Sequence, residues 1–315
     1  MSALRIGHVP SARPENLVTL KAALAVAERQ GYALGSFAPR YTAMIRPILR
    51  AAERARSPAI VQISQREMER YGIAAAAFGD AFRAALEAEG ATVPVVLHLD
   101  HTFEMPVIEA AIAAGFTSVM IDQSAAPFND NVRVTRAVVA YAHARGVSVE
   151  AELGRIGTTD FVETEEDEEQ FTDPDEAGRF VAETGVDALA VAVGTAHGHY
   201  TTRKPRVDLA RLNAIRVRTP VHIVLHGGSG VPAEMIQVAV RLPGGGISKV
   251  NIATDLEHAM LTALGRTERM TDAACRALPR RELRLAQDAV ERVVAEKIEA
   301  FLGSRDRAAA FAADA

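Results

Sequence analysis

Two kinds of apolar patterning alternate along this chain. Short apolar or β-branched runs read as strands buried on both faces. Between them, apolar residues recur every three or four positions, as on amphipathic helices. The runs predict strands over Tyr32–Phe37, Ala59–Ser64, Pro94–His101, Thr117–Asp122, Ser148–Leu153, Ala188–Val193, Val221–Leu225 and Ile247–Asn251. The helical pattern covers Leu17–Arg29, Tyr41–Ala55, Ile73–Glu89, Glu104–Ala114, Asn131–Arg145, Asp175–Thr184, Leu209–Arg216 and Ala233–Arg241, and resumes from Leu256. Thr172-Asp173-Pro174 supports one of these starts, because Asp caps and Pro tolerates the first helical turn.

Regular strand–helix alternation predicts a parallel sheet, and eight units without a linker-like break predict one closed α/β domain over 1–315, a (β/α)8 TIM barrel. Residues 1–16 read as a leader and 256–315 as an extra C-terminal helical extension. An open, doubly wound sheet is the alternative; no Gly-x-Gly-x-x-Gly follows a first strand to favour it. Within the last helix, Leu285, Ala289, Val293 and Ile298 form an apolar stripe that could pack on its own barrel or on a neighbour.

In a barrel, polar residues at the carboxyl ends of strands converge on one mouth. Pro94-Val95-Val96-Leu97-His98-Leu99-Asp100-His101 is apolar until its end. Other strands deliver Asp122, Glu152, His197, His226 and Asn251 to the same level. A lone strand-end histidine is usually a hydrogen-bonded structural residue. Three of them, His101, His197 and His226, from three strands make a zinc set with a coordination position left for substrate. His98, mid-strand, reads as core or as support for that site. After the last two strands come His226-Gly227-Gly228-Ser229-Gly230 and Asn251-Ile252-Ala253-Thr254-Asp255, where such barrels frequently hold phosphate. Glycine lets backbone N–H groups approach an anion, and Ser229 and Thr254 add hydroxyls. The plainer reading is that these glycines only make tight turns.

Composition narrows the setting. The net charge is −5, from 35 basic and 40 acidic residues without a basic stripe, which argues against nucleic acid. No apolar run approaches the roughly 20 residues that span a bilayer, and the N-terminus lacks a signal-peptide core, so no membrane partner is expected. Cys275 is the only cysteine, which fits a reducing cytoplasm.

Taken together, Leu97–His101, Gly115–Asp122, Val149–Gly154, Gly194–Gly198 and the two glycine and threonine loops resemble the class II, zinc-dependent ketose-bisphosphate aldolases, most nearly the tagatose-bisphosphate branch. The resemblance covers nearly the whole chain from about Leu17. It implies a lyase that reversibly cleaves a ketose phosphate, such as tagatose or fructose 1,6-bisphosphate, to dihydroxyacetone phosphate and an aldehyde. By it, His101, His197 and His226 bind one catalytic Zn2+, Asp122 and Glu152 serve further metal positions or support the ligands, and Asp100 moves the proton on the aldehyde-derived oxygen. Gly198, Gly227, Gly228, Ser229, Asn251, Ala253 and Thr254 would hold the phosphate-bearing half. A monovalent cation (Na+ or K+) and a homodimer or homotetramer are also implied.

Several positions depart from the family pattern. Phe37-Ala38-Pro39-Arg40-Tyr41 stands where Phe-Asn-x-Asn is usual, so Arg40 is expected to add a cation to the substrate rim. Gly157-Thr158-Thr159-Asp160-Phe161 replaces Gly-Gly-x-Glu-Asp, which puts the enolising carboxylate on Asp160, one methylene shorter. Thr102 and Gln123 replace glycines and are expected to narrow the mouth. The acidic run Glu163–Glu169 reads as a solvated face. Two alternatives to the zinc aldolase are a non-catalytic partner subunit and another zinc-barrel lyase or hydrolase. A covalent mechanism through Lys249, near the end of the last strand, is the weaker chemical choice beside the histidine set.

Overall fold

The computed structural model describes residues 14–155, 170–196, 198 and 204–311. Eight parallel strands close on themselves in sequence order: β1 (Leu34–Phe37), β2 (Ala59–Ser64), β3 (Val95–Thr102), β4 (Ser118–Ile121), β5 (Ser148–Leu153), β6 (Ala188–Val191), β7 (His222–Leu225) and β8 (Ile247–Ile252). β1 pairs with both β2 and β8, which completes the ring. The helices are α1 (Leu20–Gln30), α2 (Ile45–Arg54), α3 (Gln65–Tyr71), α4 (Ala75–Glu89), α5 (Met105–Ala113), α6 (Phe128–His143), α7 (Pro174–Thr184), α8 (Leu209–Arg218), α9 (Ala233–Val240), α10 (Thr254–Ala263), α11 (Asp272–Arg276) and α12 (Arg280–Glu296). None of the described helices is long and apolar enough to cross a membrane.

The barrel interior is divided by chemistry. At the amino end of the strands α1 acts as a plug: Leu20, Leu24 and Ala27 pack with Leu34, Ile60, Val96, Met120, Ala188 and Val224. Each fully buried Leu, Ile, Val or Met side chain there contributes about 1.5–3 kcal/mol. Thr19 caps α1 by accepting the Ala22 N–H, and Gly31 ends it in the left-handed region. Above the plug the interior turns polar, with Ser36, Gln62, His98, Asp100, Glu150, Lys249 and Asn251 all buried. Apolar residues on the outer strand face pack under the helices.

Boundaries depart from expectation for identifiable reasons. α1 begins three residues late because the preceding segment adds to β3: Val18 N–H donates to the Val95 carbonyl, and Val95 N–H to that of Asn16. The end of the leader is therefore tied down. Tyr41–Ala55 opens with a 3-10 turn, Thr42–Met44, before α2. α3 was not anticipated; a capping box between Ser64 and Glu67 starts it. The buried face of α12 is Ala286, Ala289, Val290 and Val294, set against α2 and α10. Leu285 lies off that face and is 47% exposed, so the apolar stripe is rotated from the one predicted.

Candidate active site

β3 ends in consecutive residues that both serve one site. Alternation should send Asp100 and His101 to opposite faces. Pairing with β4 shifts register between Leu99 and Thr102, and His101 takes a φ of 25°. Positive φ at a non-glycine residue costs on the order of 1–3 kcal/mol and persists only where surrounding contacts enforce it. Here they do. His101 Nδ1 lies 2.8 Å from Asp122 Oδ2, just past β4, while Asp100 accepts from Gln62 Nε2 at 2.9 Å and Asn251 Nδ2 at 3.1 Å. Thr102 does not narrow the mouth: it is buried and donates to the Asp100 carbonyl. Gln123 donates to the Phe103 carbonyl.

β5 and β7 supply the facing wall. His226 Nδ1 lies 2.9 Å from Glu152 Oε2, and its Nε2 lies 3.1 Å from Glu150 Oε1. The His101 and His226 rings stand 4.4 Å apart, edge to face. Burial resists charge on these groups; neighbouring ions outweigh it at Asp100 and His101 but not at Glu152. Asp100 is held far below the usual carboxylate range by His101 and Lys249. Against burial, Asp100, Asp122 and Glu152 push His101 up to about 10. Glu152 is raised by burial and by the Asp122 charge.

This donor set fits a divalent cation. Donor atoms of Asp100, His101 and His226, and those of His101, Asp122 and Glu152, lie within 4.8 Å of one another. Asp122 and Glu152 both face His101 Nδ1, at 2.8 and 3.9 Å, with Asp100 next to it in the chain. Carboxylates gathered on one imidazole are a setting that a metal ion would stabilise. Zinc accepts both nitrogen and carboxylate ligands. His197 and Asp160 lie outside the described residues.

The loops after β7 and β8 interlock. Gly227 has φ 68°, and a Cβ there would sit 2.2 Å from the Ala196 carbonyl oxygen. Gly228 N–H donates to the Asn251 carbonyl, and Asp255 N–H donates to Ser229 Oγ. Ala253 precedes α10, whose first residue is Thr254. Gly198, beyond β6, has φ 101°. Gly227, Gly228, Ser229, Asn251, Ala253 and Thr254 are thus gathered around one helix start, although the Gly228 N–H is already engaged.

Arg40 has a more enclosed position than its place in the sequence suggested. Its guanidinium pairs with Glu67 on α3 and Glu257 on α10, and its side chain is 11% exposed. Glu257 also accepts from Tyr41, Tyr71 and Arg269 at 3.0 Å each. Sequence reasoning missed Glu257, Gln62 and the placement of Glu150. For Glu150 the signal was available: it lies two residues from Glu152, hence on the same face of β5.

The family model described as "Fructose-bisphosphate aldolase class-II" matches residues 18–307. The chain belongs to the class II fructose-bisphosphate aldolases. A fructose-bisphosphate aldolase of Geobacillus stearothermophilus is 39% identical over 303 residues, 93% of this chain and 99% of its own. A 6-phospho-5-dehydro-2-deoxy-D-gluconate aldolase of Shouchella clausii (strain KSM-K16) is 40% identical over 291 residues, 91% of this chain and 94% of its own. Among solved structures, the YdjI aldolase from Escherichia coli K12 superposes with a TM-score of 0.78 at 32% identity, over 93% of this chain and 99% of that one. Membership makes this class II aldolase a lyase of a zinc-dependent family that acts on phosphorylated sugars. The partner-subunit and hydrolase alternatives give way to that assignment.

Proposed function

We propose that the protein cleaves a ketose phosphate reversibly to dihydroxyacetone phosphate and an aldehyde, with His101, His197 and His226 holding one Zn2+ and Asp122 and Glu152 beside them. The observation that carries this reading is the convergence of His101, His226, Asp100, Asp122 and Glu152 from four strand ends, in two donor trios that share His101, the atoms of each within 4.8 Å of one another. When bound, zinc supplies a Lewis acid for the carbonyl and hydroxyl oxygens of the ketose.

The chain's own groups do the rest. Asp100, oriented by Gln62 and Asn251 and held ionised, takes the proton from the hydroxyl that becomes the aldehyde. As the carbon–carbon bond breaks, the electron pair stays with the ketone half as an enediolate. Asp160 is the group proposed to return a proton to that carbon. The phosphate would rest against Gly198, Gly227, Ser229 and the start of α10 at Ala253 and Thr254, with Asn251 and Gly228 shaping the loop. A monovalent cation beside it belongs to the same reading. Arg40 would act on substrate through the β1–α2 loop, since its charge is already shared with two carboxylates.

The two relatives' names differ at one end of the substrate: one carries a second phosphate, the other a carboxylate. The decisive experiment supplies the zinc-loaded enzyme with fructose 1,6-bisphosphate, tagatose 1,6-bisphosphate and 6-phospho-5-dehydro-2-deoxy-D-gluconate, and measures dihydroxyacetone phosphate. Release from one of them, abolished together with zinc binding by His101→Ala, is expected. No release from any, or activity retained in His101→Ala, overturns the assignment. A homodimer or homotetramer in the cytoplasm completes the proposal; it rests on family resemblance and on a lone, buried cysteine.

A further inference from the structure

The lysine that the sequence offered as a nucleophile has another partner. Lys249 is fully buried, and its Nζ lies 3.0 Å from Glu150 Oε1, 2.9 Å from Glu150 Oε2 and 3.8 Å from Asp100 Oδ1. A buried ammonium shared between two carboxylates has no free amine to attack a ketone. Glu150 is equally buried, and its Oε1 also faces His226 Nε2 at 3.1 Å. Lys249, Glu150 and His226 therefore form a continuous chain across β8, β5 and β7. Donors of His98, Asp100 and Glu150 also cluster within 4.8 Å, but the Lys249 ammonium already serves as their cation.

A metal-binding imidazole must present one bare nitrogen, and its other nitrogen carries a proton that needs an acceptor. His226 is completely buried, so solvent cannot be that acceptor. A buried carboxylate can be, provided its own charge is compensated, because an unpaired buried ion is costly. Two buried carboxylates face the ring. Glu152 lies 2.9 Å from Nδ1 but groups with His101 and Asp122 as a metal donor. Glu150, at Nε2, is the one Lys249 neutralises, so Glu150 meets both conditions.

We propose that Glu150 and Lys249 are a positioning pair for the metal centre: Glu150 accepts the Nε2–H of His226 and so commits Nδ1 to the metal, while Lys249 neutralises Glu150. The inference rests on the zinc reading above. It adds a tautomer and a coordinating atom for His226, and it assigns roles to two residues that touch neither metal nor substrate.

Two measurements test it. In zinc-loaded wild-type enzyme, histidine side-chain nitrogen–proton correlation spectra should show His226 protonated at Nε2 and zinc-bound at Nδ1, the signal being assigned by its loss in His226→Gln. Zinc bound through Nε2 overturns the proposal; a wild-type protein that takes up no zinc refutes the metal reading itself, so the two failures are distinct. The second measurement compares two charge-free double variants. Glu150→Leu with Lys249→Met removes the acceptor and leaves no buried ion, whereas Glu150→Gln with Lys249→Met keeps a neutral carbonyl acceptor. The first should weaken zinc, in competition with a chelator, by about 10–100-fold and shift the visible bands of the Co2+ form; the second should lie nearer wild type. A folded Leu/Met variant with wild-type zinc affinity and an unchanged cobalt spectrum overturns the proposal. If that variant does not fold, the tautomer measurement alone decides.

Discussion

His101 and Asp122 meet where β3 and β4 change register, with Nδ1 of the ring 2.8 Å from Oδ2 of the carboxylate. Ser124 donates to the other oxygen of Asp122 through both its N–H and its hydroxyl, at 3.1 and 2.7 Å. The carboxylate is therefore fixed before it fixes the ring. Asp122→Asn should leave the barrel folded, since the residue lies at a strand end, and should weaken zinc by about 10–100-fold. Chelator competition at constant pH measures this, and kcat/KM should fall in parallel. An unchanged zinc affinity would show that Asp122 neither binds nor orients at this site.

Glu257 gathers Arg40, Arg269, Tyr41 and Tyr71 at the edge of α10. Glu257→Gln leaves two guanidinium groups facing a neutral amide. Breaking a buried pair by removing one partner costs about 3–5 kcal/mol. The melting temperature should drop accordingly, with kcat/KM reduced because α10 begins at Thr254. The acid limb follows in sign. Burial would raise the Glu257 pKa, but Arg40 and Arg269 outweigh it and hold it below 4.5. A depressed carboxylate stabilises the fold above its unfolded pKa, and that contribution is lost as pH falls through the folded value. Wild type should thus lose stability below about pH 4.5 more steeply than Glu257→Gln does; identical acid limbs would argue against a charged Glu257.

Much of the site was legible because buried parallel strands read as apolar runs that end in chemistry. Asp100, His101, Asp122, Glu152, His226 and Asn251 could be placed at one mouth from strand ends alone. Three features were missed, two of them because they depend on contacts distant in the chain. The bulge that turns His101 inward depends on pairing with β4. The partner of Arg40 on α10 is 217 positions away in the chain. Two turns of mostly polar residues hid α3, although Ser64 and Glu67 stand at capping-box spacing. Lys249 was visible as a residue but misleading as chemistry, since only the fold shows that Glu150 is its partner.

Cys275 on α11 is wholly buried, and burial, followed by the Asp272 charge, pushes its thiol up to about 12. The thiolate is the reactive form. At pH 8 the native protein should therefore react with a disulfide reagent far more slowly than the denatured chain, which should release one equivalent per chain promptly. Fast reaction in the native state would mean that α11 opens readily.

Gly227 separates conformational strain from crowding at the proposed phosphate loop. It shares φ 68° with Gly31, the residue that ends α1. An added Cβ at Gly31 meets nothing within 4 Å, whereas at Gly227 it falls 2.2 Å from the Ala196 carbonyl oxygen and 2.6 Å from its carbon. Those are backbone atoms, so no side chain can swing aside. Gly31→Ala should cost only the left-handed penalty, about 1–2 kcal/mol, and leave turnover unchanged. Gly227→Ala carries the same penalty and must also push the segments after β6 and β7 apart. The displaced segments carry Ala196 and His226, so the loss should appear in KM for the phosphorylated substrate and in zinc affinity as well as in melting temperature. Steady-state kinetics and thermal melts of the two variants side by side provide the check. If Gly227→Ala behaves like Gly31→Ala, the close approach of the two loops does not hold in solution.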